Sequence, residues 1–166
     1  MKGIRYAEGL KVVPVIAPVD TTTSAVSSAA MHLHQAHWIT FLVQMGNFTS
    51  DSTDVVVLTV ESSTASATAA TDEAIAFNYR LGAAVASDSM GAITAATSDG
   101  ATFGADSDDS KIVVIDVDPS YVTAKDTDAA YVRVVATPSG SVGALLISAC
   151  AVIEPRYPGN SMGTAT

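Results

Sequence analysis

The feature that most constrains this chain is a two-residue alternation of apolar and polar side chains, clearest over residues 37–62, HWITFLVQMGNFTSDSTDVVVLTVES. Ile39, Phe41, Val43 and Met45 fall on one face of an extended segment, and Trp38, Thr40, Leu42 and Gln44 fall on the other. Successive side chains of a strand point to opposite sides, so a half-buried strand carries this pattern and a helix does not. Gly46, Asn47, Ser50, Asp51 and Ser52 supply turn chemistry, after which Val56, Leu58 and Val60 form a second buried set. The expectation is a hairpin of two matched strands with the Ile39 face toward the core.

Later segments repeat the pattern. Over 73–81, Ile75, Phe77, Tyr79 and Leu81 share a face, and over 130–137 Val132, Val134 and Ala136 do the same. In 142–154 the apolar side is Leu145, Ile147, Ala149, Ala151 and Ile153. KIVVIDV at 111–117 is apolar on both faces, as suits a central strand, and Pro119 ends it. Met31 and Leu33 suggest a further strand, 90–97 a short one, and 121–128 a short helical or irregular crossover. The chain is 48% hydrophobic but only 6% aromatic and 15% charged, so its apolar content is Ala and Val, which with Thr favours pleated structure over long helices. These signals predict an all-β fold, an antiparallel β-sandwich or jelly roll of about eight strands. A chain of 166 residues makes one such domain, placed at 24–154. Pro14 and Pro18 push 1–23 toward an extended N-terminal arm that can lie along a sheet edge, and 155–166 reads as a second, C-terminal arm.

Eight basic against seventeen acidic side chains give a formal charge of −9, which repels phosphate backbones and anionic lipid, so neither nucleic acid nor a membrane is an expected partner. The single Cys150 excludes an internal disulfide and, lying in an apolar strand, reads as a buried inert thiol. Lys2 and Arg5 precede an apolar run, but Glu8, Pro14 and Pro18 interrupt it, and no stretch approaches the roughly 20 apolar residues of a membrane-spanning helix. The expectation is a soluble protein made in the cytoplasm and not secreted by a cleaved signal.

The histidines His32, His34 and His37 cluster in one run. On a strand His32 and His34 share a face and could meet one zinc or iron ion, as in a metal-dependent jelly-roll enzyme. His37 falls on the other face and a further ligand at a fitting spacing is missing, so the bland reading, surface or interface histidines, is preferred. Asp106, Asp108 and Asp109 form an acidic turn without the order of a calcium loop. No nucleophile, acid–base pair or phosphate loop emerges, and neither an enzyme nor a cofactor is expected. Trp38 and Leu42 share the outer face of their strand, where a tryptophan beside a leucine can anchor an interface.

Taken in order, WITFLVQMGNF, VVLTVESS, AIAFNYRLGAA, KIVVIDVDPSYV, YVRVVAT and AVIEPRYPGN resemble the head decoration, or capsid cement, proteins of tailed bacteriophages, from about residue 24 to 160. The resemblance implies a virion structural protein on the capsid exterior, bridging major capsid subunits and associating with itself as a dimer or trimer. The residues expected to reach partners are Val12 and Val15 in the N-terminal arm, Trp38 and Leu42, and Arg156 and Tyr157 in the C-terminal arm. The alternatives are a ligand- or carbohydrate-binding β-sandwich module of a phage tail or fibre, and the metal-dependent enzyme using His32 and His34.

Overall fold

The computed structural model describes residues 9–21, 24–48, 55–66, 72–83, 85–104, 108–139 and 145–157. It is an all-β sandwich of two antiparallel sheets with six strands each. The first sheet holds, in spatial order, β1 (Lys11–Asp20), β12 (Leu146–Pro155), β4 (Ala36–Met45), β10 (Ile112–Val117), β7 (Phe77–Leu81) and β8 (Thr94–Ala96). The second orders β2 (Val26–Ser27), β11 (Tyr131–Ser139), β5 (Val55–Ser63) and β6 (Glu73–Ile75), with β3 (Met31–His32) also on β11 and β9 (Ala101–Gly104) also on β5. Strands of two to four residues account for the excess over the expected eight. One helix, α1 (Pro119–Lys125), connects the sheets between β10 and β11. Pro119 occupies its first turn, where the missing N–H is one that a helix leaves unpaired anyway.

The inner faces follow the alternation. Ile39, Phe41, Val43 and Met45 meet Val56, Leu58 and Val60 in one buried cluster, joined by Val113, Ile115, Val132, Val134, Ile147 and Ile153. Burying each of the larger of these side chains contributes about 1.5–3 kcal/mol over leaving it in water. The buried faces of β4, β5, β11 and β12 are those the sequence assigns, and β10, apolar on both sides, buries Val113, Ile115 and Val117.

Strand pairing differs from the expectation. β4 and β5 are not a hairpin: β4 lies between β12 and β10 in the first sheet, and β5 between β11 and its short neighbours in the second. The chain therefore changes sheet between β4 and β5, the expected turn residues Ser50, Asp51 and Ser52 lying outside the described residues, and the two apolar faces oppose each other across the core instead of lying side by side. The segment 73–81 likewise splits at Ala76 into β6 and β7, one in each sheet, although Ile75 and Phe77 stay buried. A third exchange occurs at the Ser98–Gly100 turn between β8 and β9.

Residues 11–20 of the expected N-terminal arm are an edge strand of the first sheet, paired with β12 and shifted in register around Pro14–Ile16 and Ile16–Val19. Val15 and Ile16 are both buried there, so Val15 belongs to the core and is not a partner-binding residue. The remaining expected arm residues, 1–8, 22–23 and 158–166, lie outside the described residues.

Beyond the inner face, the second sheet carries an ionic cluster on its outward side. Arg133 stands opposite Glu61 in the β11–β5 register; its Nε and Nη2 donate to Glu61 Oε2 at 3.0 and 2.9 Å, and Nη2 also donates to Asp72 Oδ2. Both carboxylates thereby share one guanidinium, in a site only Arg can satisfy by this fork.

Gly100 adopts φ +94°, and a Cβ there would meet Leu58 O at 2.6 Å and the Val57 and Thr59 side chains at 2.8 and 2.9 Å. Gly100→Ala is expected to lower unfolding stability by roughly 1–3 kcal/mol, combining left-handed strain with backbone contact. Urea denaturation followed by circular dichroism measures this, whereas an unchanged midpoint would show that the turn relaxes freely.

Candidate functional site

Covering the inner faces leaves the outward face of the first sheet, and cross-strand registers define what it displays. One row runs Pro14–Cys150–Leu42–Val114–Arg80, and the next runs Val12–Val152–Thr40–Asp116–Asn78–Ala95. Residues directly opposite in an antiparallel pair share a face. The face thus carries an apolar patch of Val12, Val152, Cys150, Leu42 and Val114, interrupted by Thr40 in the second row and bordered by the Ser148–Gln44 pair, and it is polar toward β7. Val12 is 55% exposed and Leu146, on the same side of β12, 59%. Leu42, Val114, Cys150 and Val152 between them are half-buried, so Cys150 is not the fully buried thiol expected.

Where the sheet meets α1, the face closes into a cleft of about 450 Å³ lined by Trp38, Asn78, Arg80, Asp116 and Tyr121. Trp38 Nε1 donates to Asp116 Oδ1 at 3.3 Å and Thr40 Oγ1 donates to the same oxygen at 2.7 Å. Tyr121 sits on the first turn of α1 with Lys125 Nζ 5.7 Å from its ring centroid, within cation–π range. Asp118 caps the helix, accepting from the Ser120 N–H at 2.8 Å and the Ser120 hydroxyl at 2.7 Å. The Ser120 hydroxyl, then the backbone amides of Ser120 and Tyr121 and the Arg156 charge, hold the Asp118 carboxyl below its ordinary pKa, against a smaller opposing effect of burial.

Of the residues expected to meet partners, Val12, Trp38 and Leu42 come together on this one face. Arg156 is exposed but tied back to the sheet: its backbone N–H donates to Gln35 O at 2.9 Å and its Nε to Ala36 O at 2.8 Å, fastening the end of β12 to the start of β4. Tyr157 beside it is 72% exposed. Val114, Val152, Asn78, Arg80, Asp116 and Tyr121 were not singled out from sequence. The double-sided apolar run KIVVIDV was a signal for Val114, since its second face must be covered by something.

The histidines do not form the strand-face pair that the metal alternative requires, and His34 and His37 are exposed. His32 ends β3 and His34 lies in the 3-10 turn Leu33–Gln35, so the two rings are tilted 5.6 Å apart. His32 Nδ1 accepts from the His34 N–H at 3.3 Å, and its ring packs on Tyr131 at 4.9 Å. Burial first, and the neighbouring His34 charge second, lower the His32 pKa. Any stability tied to neutral His32 is therefore present above the ordinary imidazole range and is lost as pH falls through the lowered value. Asp109 accepts from the Phe48 N–H at 3.0 Å, and Asp108 from the Gly104 N–H at 3.0 Å while pairing with Lys111 at 3.5 Å, so both fasten turns; Asp106 lies outside the described residues. Among the described residues no three His, Cys, Asp or Glu side chains gather to hold an ion, and no helix is long and apolar enough to cross a membrane.

Asp118→Ala is expected to lower stability by about 1 kcal/mol at neutral pH, the usual value of a lost N-cap. Because its folded pKa is lowered, the Asp118 contribution is present above the ordinary carboxylate range and disappears as pH falls through the lowered value. Thermal melts of the two proteins should therefore differ at pH 7 and converge in acid; a constant gap would refute the assignment. No protein-family model, curated protein or solved structure matches the chain.

Proposed function

We propose that this is a virion structural protein, a head decoration protein that binds major capsid subunits and copies of itself by face-on docking of its first sheet. The observation carrying this reading is the apolar patch of Val12, Val152, Cys150, Leu42 and Val114, contributed by four neighbouring strands, half-buried at its centre and open to solvent at Val12. Contiguous exposed apolar surface on a small domain marks a contact surface, and burying it releases about 25 cal/mol for each Å² removed from water. The resemblance of the chain's segments to tailed-phage decoration proteins is the ground for taking capsid subunits as the partner. The formal charge of −9 keeps such a protein away from packaged nucleic acid, and docking through a sheet face requires no catalytic group.

Leu42→Asp places a carboxylate in the middle of the apolar row without touching the inner face of β4. The substituted protein is expected to keep its circular dichroism spectrum and lose at least tenfold in affinity for heads assembled from the capsid protein encoded beside it, read by co-sedimentation. Sedimentation velocity should show the oligomer dissociate in parallel. Wild-type protein that stays in the supernatant, or substituted protein that sediments with heads as before, would overturn the reading.

A further inference from the structure

We propose that the cleft between α1 and the β10–β7 part of the first sheet binds a neutral saccharide. This inference goes beyond the capsid reading and stands on different residues. Two rings, Trp38 and Tyr121, line the cleft while remaining 41% and 42% exposed, and Ile93 beside them is 62% exposed. Aromatic rings left open in a concavity offer flat apolar platforms, and the C–H face of a pyranose ring is the flat, weakly apolar surface that stacks on them. Trp38 is held in place by its bond to Asp116 and Tyr121 is flanked by Lys125, so neither ring must be ordered when a ligand arrives.

Between the rings the sheet supplies planar polar groups at strand spacing. Asp116 and Asn78 stand opposite each other on β10 and β7, and Arg80 lies two residues further along β7 on the same side. Asp116 Oδ1 takes both protein donors, from Trp38 and Thr40; among the described residues none reaches Oδ2, and none pairs with the Asn78 amide or the Arg80 guanidinium. A carboxylate, an amide and a guanidinium are complementary to the vicinal hydroxyls of a sugar, which both donate and accept in pairs. Asp116 and Asp118 in the lining are offset by Arg80, by Lys125 against Tyr121 and by Arg156 near Asp118, so the cleft has no excess of positive charge to select phosphorylated, sulfated or sialylated ligands. A volume of about 450 Å³ lies within the range of small-molecule sites and accepts a short oligosaccharide.

Trp38 is the only tryptophan, so its emission reports on the cleft alone. The full chain should bind neutral glycans on an array, and titration with the best of them should shift or quench Trp38 fluorescence saturably. Tyr121→Ala and Asn78→Ala should each weaken binding at least tenfold by calorimetry, and Trp38→Ala should abolish it. Leu42→Asp, outside the cleft, should leave it unchanged, so loss of capsid docking and loss of glycan binding are separable. Absence of glycan binding, preference for anionic glycans, or full affinity retained in both Tyr121→Ala and Trp38→Ala would overturn the proposal.

Discussion

A sheet has two faces, and the two sheets of this protein can cover only one face of each. The rest of the structure follows from meeting that constraint with a chain whose apolar residues are small and evenly alternating. Ile39, Phe41, Val43 and Met45 need a second apolar layer opposite them, which a hairpin partner within the same sheet cannot provide. The chain therefore changes sheet after β4, at Ala76, at the Ser98–Gly100 turn and through α1, so that sequence neighbours become opposing layers. Gly100 is where this is tightest, because the turn presses against the β5 backbone with no room for a Cβ.

The faces turned away from the core are treated differently in the two sheets. On the second, Arg133 bridges Glu61 and Asp72, directly across the β11–β5 ladder. An ion cluster so nearly desolvated adds little net stability, but slipping β11 by one residue would drive Arg133 into the core and turn Val132 and Val134 outward. Its effect is to hold one register. On the first sheet the outward rows show no such cluster over β1, β12 and β4; the Ser148–Gln44 pair borders the apolar patch at one end and the polar groups of the cleft border it toward α1. One face of one sheet thus offers two chemically distinct areas side by side: an apolar plain, and a cleft with rings and hydrogen-bonding groups.

Which side of each long strand is buried was legible in the sequence, because period two assigns faces without reference to neighbours. Which strand pairs with which was not. The alternation of 55–60 is equally compatible with lying beside β4 or opposite it, and the polar residues after Met45 suit a turn or a crossover equally well. The prolines of 11–20 suggested an extended arm or a sheet edge, and the edge position tolerates them because one row of N–H groups needs no ladder partner. Of the candidate site, Trp38 and Leu42 could be read from one strand. Asp116, Asn78 and Tyr121 could not, since they converge only through the β4–β10–β7 registers and the position of α1. The histidine run offers no strand-face pair, because a 3-10 turn interrupts the extended backbone that would have aligned the rings.

The edge strand β1 has a further consequence. With Pro14 and Pro18 lacking amide hydrogens and two shifts of register along its length, its free side cannot template another strand over more than a few residues. At the opposite edge, β8 is only three residues long. The first sheet is thereby blunt at both ends, and neither edge strand offers a long run of unpaired backbone on which a second copy could extend the sheet.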